Sequence, residues 1–180
     1  TTPHDFEQYY TRKSLVDAYK EAGFNTYWIA NQSVENGFVK RIADDADDYF
    51  FSTVDYDADA SYDENLIPHL QEALEKNHQK TLIVLHTLGS HFKYNFRYPP
   101  EFNVFKPSIE GNFDTSFQNP KNREILINTY DNSILYTDFF LSNVIQTLDS
   151  LDAVSSLVYV SDHGENIYDT EEKIILHGGR

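Results

Sequence analysis

Asp162-His163-Gly164-Glu165 puts two carboxylates and an imidazole within four consecutive residues, directly after the apolar run Leu157-Val158-Tyr159-Val160-Ser161. Carboxylate oxygen and imidazole nitrogen are donors that zinc and similar divalent ions accept, and Gly164 lets the backbone turn tightly enough for its neighbours to point together. An isolated Asp-His pair has plainer readings, with Asp162 capping a turn, His163 hydrogen-bonding locally and Glu165 facing water. Three more histidines shift that balance. His86 closes a second apolar run, His91 follows it by five residues, and His177 precedes the Gly178-Gly179 pair. His86 is also readable as a satisfied core histidine, His91 as an exposed loop residue and His177-Gly178-Gly179 as a plain turn. As contacts to a metal or substrate, His91 and His177 rank above His86. His4, His69 and His78 lack comparable positions and read as surface residues.

Those side chains can act together only if the chain delivers them to one edge. From Thr11 to Ala22, Leu15, Val16, Ala18, Tyr19 and Ala22 recur at helical spacing, and Gly23 stands where a helix stops. Residues 24–29 read as a strand, with Asn31, Gln32 and Ser33 at its C-terminal end. Between Ala43 and Asp63 an acid-rich stretch flanks the β-prone Tyr49-Phe50-Phe51. It lacks the glycine and terminal glutamate of an EF-hand loop, so it reads as a solvated loop around a short strand. Residues 66–77 form a helical pattern leading into Thr81-Leu82-Ile83-Val84-Leu85-His86, a run suited to a strand buried on both faces of a parallel sheet. A long irregular segment extends from Gly89 to about Pro120, and loops of that length are commonly functional. Residues 122–149 carry a long helical pattern, and 157–161 read as a second fully buried strand. The alternation predicts one α/β domain over residues 1–180, with ligands at the C-terminal strand ends.

Composition narrows the partners. Lys plus Arg number 14 against 29 Asp plus Glu, giving a formal charge of −15 that repels phosphate backbones and argues against nucleic-acid binding. There are no cysteines, so thiolate chemistry and Cys-ligated zinc are excluded and any metal site must use His and carboxylate. No apolar run approaches the roughly 20 residues of a membrane helix, so the segment is expected to be soluble by itself.

Several words of the sequence occur together and in order: Val84-Leu85-His86-Thr87-Leu88-Gly89-Ser90-His91, Tyr98-Pro99-Pro100-Glu101-Phe102, Asn128-Thr129-Tyr130-Asp131-Asn132-Ser133, Val160-Ser161-Asp162-His163-Gly164-Glu165 and Leu176-His177-Gly178. With Tyr27-Trp28-Ile29-Ala30-Asn31-Gln32 before them, they resemble the phosphoethanolamine transferases of the alkaline phosphatase and sulfatase superfamily over nearly the whole chain. The resemblance implies a three-layer α/β/α sandwich around a mostly parallel sheet. It implies Asp162 and His163 as ligands of zinc, one or two ions in all, and Glu165 as a carboxylate near the substrate amine. His91 and His177 resemble residues that bind the phosphoethanolamine group or a second zinc, His86 a histidine of the same pocket, and Gln32 and Ser33 polar substrate contacts.

The implied chemistry has two steps: a threonine takes phosphoethanolamine from phosphatidylethanolamine, then passes it to lipid A, core oligosaccharide or a glucan. The implied setting is the periplasmic domain of a bacterial inner-membrane protein, with membrane contact through its N-terminal part. Two features depart from the pattern. The nucleophilic threonine and one acidic zinc ligand lie upstream of the matched region, so the chain is expected to be a piece of the domain, incomplete at both ends and inactive alone. Asn36 stands where some members carry a substrate-binding lysine. The lack of cysteines is more like members acting on core oligosaccharide or glucans. A sulfatase or phosphoglycerol transferase of the same superfamily is the alternative enzyme, against which residues 98–102 and 128–132 argue. The third alternative is a non-catalytic metal-binding or interaction module.

Overall fold

The computed structural model describes residues 12–33, 37–52, 61–111, 119–167 and 175–177. Thr1, Thr2, His4, Asn36, Asp55, Asp57, Asp59, Gly178 and Gly179 lie outside the described residues. The chain divides into two compact units, one within residues 1–58 and 65–87 and the other within 59–64 and 88–180.

In the first unit, helix α1 (Leu15–Glu21) starts later than the apolar spacing alone predicts, because Ser14 caps it. The Ser14 hydroxyl accepts from the Asp17 N–H and the Asp17 carboxylate accepts from the Ser14 N–H, a reciprocal pair that satisfies the open end of the helix. At the other end Gly23 takes φ +81, a left-handed conformation that a side chain resists. The Phe24 N–H then reaches the Tyr19 carbonyl and the Gly23 N–H that of Lys20, while the Phe24 and Tyr19 rings meet edge-on at 4.9 Å. This hydrogen-bond pair and its apolar clasp turn the chain straight into β1.

Strands β1 (Asn25–Ala30), β2 (Asp48–Phe51) and β3 (Thr81–His86) form a parallel sheet in the order β2-β1-β3. Parallel neighbours need crossovers, and helices α2 (Gly37–Ala43) and α3 (Ile67–Glu75) lie in them. The predicted α/β class with a parallel sheet is therefore the observed one. Trp28 and Ala30 of β1 pack with Val16, Ala43 and Ala46 to make the core of this unit. Burial departs from the sequence reading, since β3 is half-buried along its length whereas β1 is the strand taken out of water. Only β1 has a ladder partner on both sides among the described residues, so it is the central strand.

Asp47 departs from the solvated-loop reading of the acidic stretch. Its carboxylate accepts from the Thr26 N–H and hydroxyl, both at 2.9 Å, and lies 3.1 Å from the Lys20 ammonium. Partial burial opposes its ionisation, but the Thr26 hydrogen bonds and Lys20 together hold its carboxyl below the ordinary range. A carboxylate with a depressed folded-state pKa adds stability above its unfolded pKa, and that contribution disappears as pH falls through the folded value. Asp47→Ala is expected to cost about 1 kcal/mol at pH 7, a modest figure because solvent screens the half-exposed pair. Urea unfolding followed by Trp28 emission should show the deficit at pH 7 and its loss near pH 3. His69, read as a surface residue, is half-buried and stacks on Phe50 with ring centroids 3.5 Å apart, whereas His78 is exposed beside Tyr27.

The second unit is organised by helix α4 (Arg123–Asp149), 27 residues long. Its buried stripe of Leu126, Thr129, Asn132, Ser133, Tyr136, Phe140 and Val144 follows the helical period. The polar members hold the loop before it. The Thr129 hydroxyl accepts from the Ile109 N–H at 2.8 Å, and the Asn128 amide donates to the Pro107 carbonyl at 3.0 Å. Tyr94, Ile109 and Leu126 pack with Ile167 of strand β4 (Glu165–Ile167), which pairs antiparallel with β5 (Ile175–His177). His177 thus sits in a strand rather than a turn.

The predicted second buried strand at 157–161 does not form. Val158 is 82% and Val160 80% exposed. A run this apolar becomes a buried strand only when neighbours ladder its backbone and helices cover its faces. No strand among the described residues pairs with it. Among the described residues no helix is long and apolar enough to cross a membrane.

Candidate metal centre

Asp162 and His163 lie in open chain just before β4, both exposed. Short-range bonds fix their backbone: the Asp162 Oδ1 accepts from the His163 N–H at 2.9 Å, and the Ser161 hydroxyl donates to the His163 carbonyl. His163 Nδ1 lies 3.2 Å from the Gly164 carbonyl oxygen. A carbonyl can only accept, so in the neutral ring this contact assigns the proton to Nδ1 and the lone pair to Nε2. That nitrogen faces Asp162 Oδ2 at 3.8 Å.

Two ligands on one tetrahedral zinc, with bonds of about 2.0–2.1 Å, stand roughly 3.3 Å apart. The Asp162–His163 pair therefore fits zinc in donor type, tautomer and spacing with only a small adjustment. It supplies two donors of the four a closed shell needs. Among the described residues no group of three or more His, Asp or Glu forms a complete metal cradle.

Glu165 opens β4, and the antiparallel register sets it opposite His177. The ladder thus joins two sequence-predicted residues that are twelve positions apart. Behind Glu165 lies Tyr94, whose buried phenol is pushed well above its ordinary pKa by burial and then by the negative charge of Glu165. Tyr94 is absent from the sequence reading. One tyrosine among several aromatic residues offers no pattern that would single it out.

His91 lies in the loop after β3, where its Nδ1 is 3.4 Å from the Phe92 carbonyl. Arg97, only 2% exposed, donates through Nε to the His91 carbonyl at 3.3 Å and through Nη2 to that of Phe92 at 3.2 Å. The Ser90 hydroxyl beside them is shielded from water with no hydrogen bond among the described residues.

In the first unit the β1–β3 ladder runs from Asn25–Thr81 to Ala30–His86, and the Asn31 N–H extends it to the His86 carbonyl at 2.9 Å. Gln32 and Ser33 follow immediately, so they and His86 share the C-terminal edge of the sheet, as the sequence predicts. The His86 ring leans on Trp28 with centroids 5.6 Å apart.

The parallel α/β sheet is that of the alkaline phosphatase-like proteins. The match to the Sulfatase family runs over residues 1–180, and the chain belongs to that family. It is 34% identical to the phosphoethanolamine transferase EptC of Escherichia coli O18:K1:H7 over 171 residues, covering 90% of this chain and 28% of that protein. It is 35% identical to the phosphoethanolamine transferase EptA of Salmonella typhimurium over 179 residues, covering 97% of this chain and 31% of that protein. Among solved structures, the C-terminal periplasmic domain of EptC from Escherichia coli, in complex with zinc, superposes with a TM-score of 0.78 at 32% identity. That likeness covers 94% of this chain and 47% of the solved domain. The chain thus spans less than a third of these two relatives and about half of that domain.

Proposed function

We propose that this chain is part of the catalytic domain of a zinc-dependent phosphoethanolamine transferase. It would move phosphoethanolamine from phosphatidylethanolamine to lipid A, core oligosaccharide or a glucan, in the periplasmic part of a bacterial inner-membrane protein. The observation that carries this reading is the Asp162–His163 pair, whose spacing and tautomer suit one zinc ion. The relatives named phosphoethanolamine transferases and the zinc complex of a similar domain support it.

In this reading Asp162 and His163 hold zinc. Zinc bound there would lower the pKa of an attacking hydroxyl and stabilise charge on the phosphoryl oxygens. The group passes through a phosphothreonine, for which this chain has no assigned residue. His91 and His177 bind phosphoryl oxygens or carry protons, a task suited to imidazole near neutral pH. Glu165 attracts the ethanolamine ammonium, and His86, Gln32 and Ser33 add polar contacts to the substrate.

The Sulfatase family match keeps a sulfatase or phosphoglycerol transferase as the competing reading. Calorimetric titration of the zinc-loaded chain with phosphoethanolamine separates them. The expected result is binding that EDTA abolishes and His91→Ala weakens about tenfold. Equal or tighter binding of sulfate or glycerol phosphate would overturn the assignment.

A further inference from the structure

Asp63 has no place in the chemistry above, and in the sequence it merely ends an acid-rich stretch. The structure buries it to 5% exposure and gives each carboxylate oxygen a backbone donor. Oδ1 accepts from the Leu88 N–H at 2.9 Å and Oδ2 from the Gly89 N–H at 2.8 Å. Hydrogen bonds to an ionised acceptor are roughly twice as strong as neutral ones, and here both fall on one turn of backbone. The segment that carries Asp63 is itself pinned, because Tyr62 packs edge-on against Tyr136 of α4 at 5.9 Å.

The loop so gripped is the one that presents His91. The His91 N–H closes the turn by donating to the Leu88 carbonyl at 3.1 Å. Just beyond, buried Arg97 takes the carbonyls of His91 and Phe92. An anion therefore holds the N–H groups before His91 and a cation holds the C=O groups after it. Left-handed residues bound the span, Gly89 at φ +52 and Lys93 at φ +64. Glycine adopts that conformation freely, but at Lys93 it persists only where the surroundings enforce it. Burying two charges is costly, and the hydrogen bonds that each makes to this backbone offset part of that cost.

We infer that Asp63 is a positioning residue for His91: with Arg97 as its counterpart, it fixes the 88–92 backbone so that the His91 imidazole meets the phosphoryl group at a set place. This rests on the reading of His91 as a phosphoryl-binding histidine. Asp63→Asn keeps the size and one acceptor oxygen, but turns an NH2 group toward one of the two backbone N–H donors.

NMR on the 180-residue chain tests the inference. In the unaltered protein the Leu88 and Gly89 amides are expected to be protected from exchange, and exchange as rapid as at open loop amides overturns the clamp without any variant being needed. In Asp63→Asn those amides should exchange about tenfold faster while amides of α4 keep their rates. The His91 ring signals should move, and phosphoethanolamine affinity read at His91 should fall about tenfold. A folded Asp63→Asn with unchanged His91 signals and affinity overturns the positioning role. If phosphoethanolamine leaves the His91 ring of the unaltered chain unmoved, the functional reading of His91 fails instead, and the amide rates alone decide the clamp.

Discussion

Zinc titrated into this chain is expected to bind, and the double variant Asp162→Ala, His163→Ala is expected to lose on the order of a hundredfold in affinity. Oδ2 of one residue and Nε2 of the other already stand 3.8 Å apart. The Gly164 carbonyl holds the proton on Nδ1, so the ring need not change tautomer to ligate. His163→Gln, which offers an amide in place of the imidazole, should lose nearly as much as alanine. Affinity in the unaltered chain should be weak, because the pair supplies two donors and water must complete the shell. As controls, circular dichroism and Trp28 emission should not change in the variants, since both residues lie exposed in open chain. Calorimetry that shows the same zinc isotherm for the double variant would remove the basis of the metal assignment.

The parts of this structure legible in the sequence are those encoded by neighbours in the chain. Gly23 after a helical pattern, the alternation of helix and apolar run, and the position of His86 at a strand end are all local signals, and each appears where the pattern places it. The closeness of Asp162 to His163 is legible for the same reason, since the two are adjacent in sequence. What the sequence hides is pairing across distance. Thr81–His86 and Leu157–Ser161 look alike as apolar runs, yet only the first has a ladder partner among the described residues. Composition reports that a run wants a sheet, and says nothing of whether a neighbour is present. Asp47 and Asp63 are hidden in the opposite way. Among so many acids they read as solvated charge, and only the Thr26, Leu88 and Gly89 donors supplied from elsewhere in the chain distinguish them. The His91 loop shows how a candidate residue can be read from a motif while the Asp63 and Arg97 bonds to its backbone cannot.

Asn132→Leu is expected to destabilise the second unit by about 3 kcal/mol, the largest stability effect predicted for this chain. The residue is an unfavourable choice for a helix interior on propensity alone, and it is 0% exposed. Its value lies in an amide that can accept twice and donate twice, and all four capacities are in use. Oδ1 accepts from the Val104 and Phe105 N–H groups at 3.0 and 2.8 Å. Nδ2 donates to Asn103 Oδ1 at 3.0 Å and to the Phe105 carbonyl at 3.1 Å, with the Tyr98 hydroxyl at 3.4 Å. Leucine fills the same space, so no cavity is created and the loss comes from buried backbone groups left unpaired. Asn132→Asp separates the two halves of the argument, because it keeps both accepted bonds while setting a carboxylate against Asn103 Oδ1 and the Phe105 carbonyl. Val104 and Phe105 amides should therefore lose exchange protection in the leucine variant but keep more of it in the aspartate variant, even though urea unfolding finds both less stable. Equal protection in all three proteins would mean that residues 103–105 are held by something other than Asn132. In that case the Asn128–Ser133 motif, which anchors the preceding loop through Asn128, Thr129 and Asn132, would need an explanation in chemistry rather than in packing.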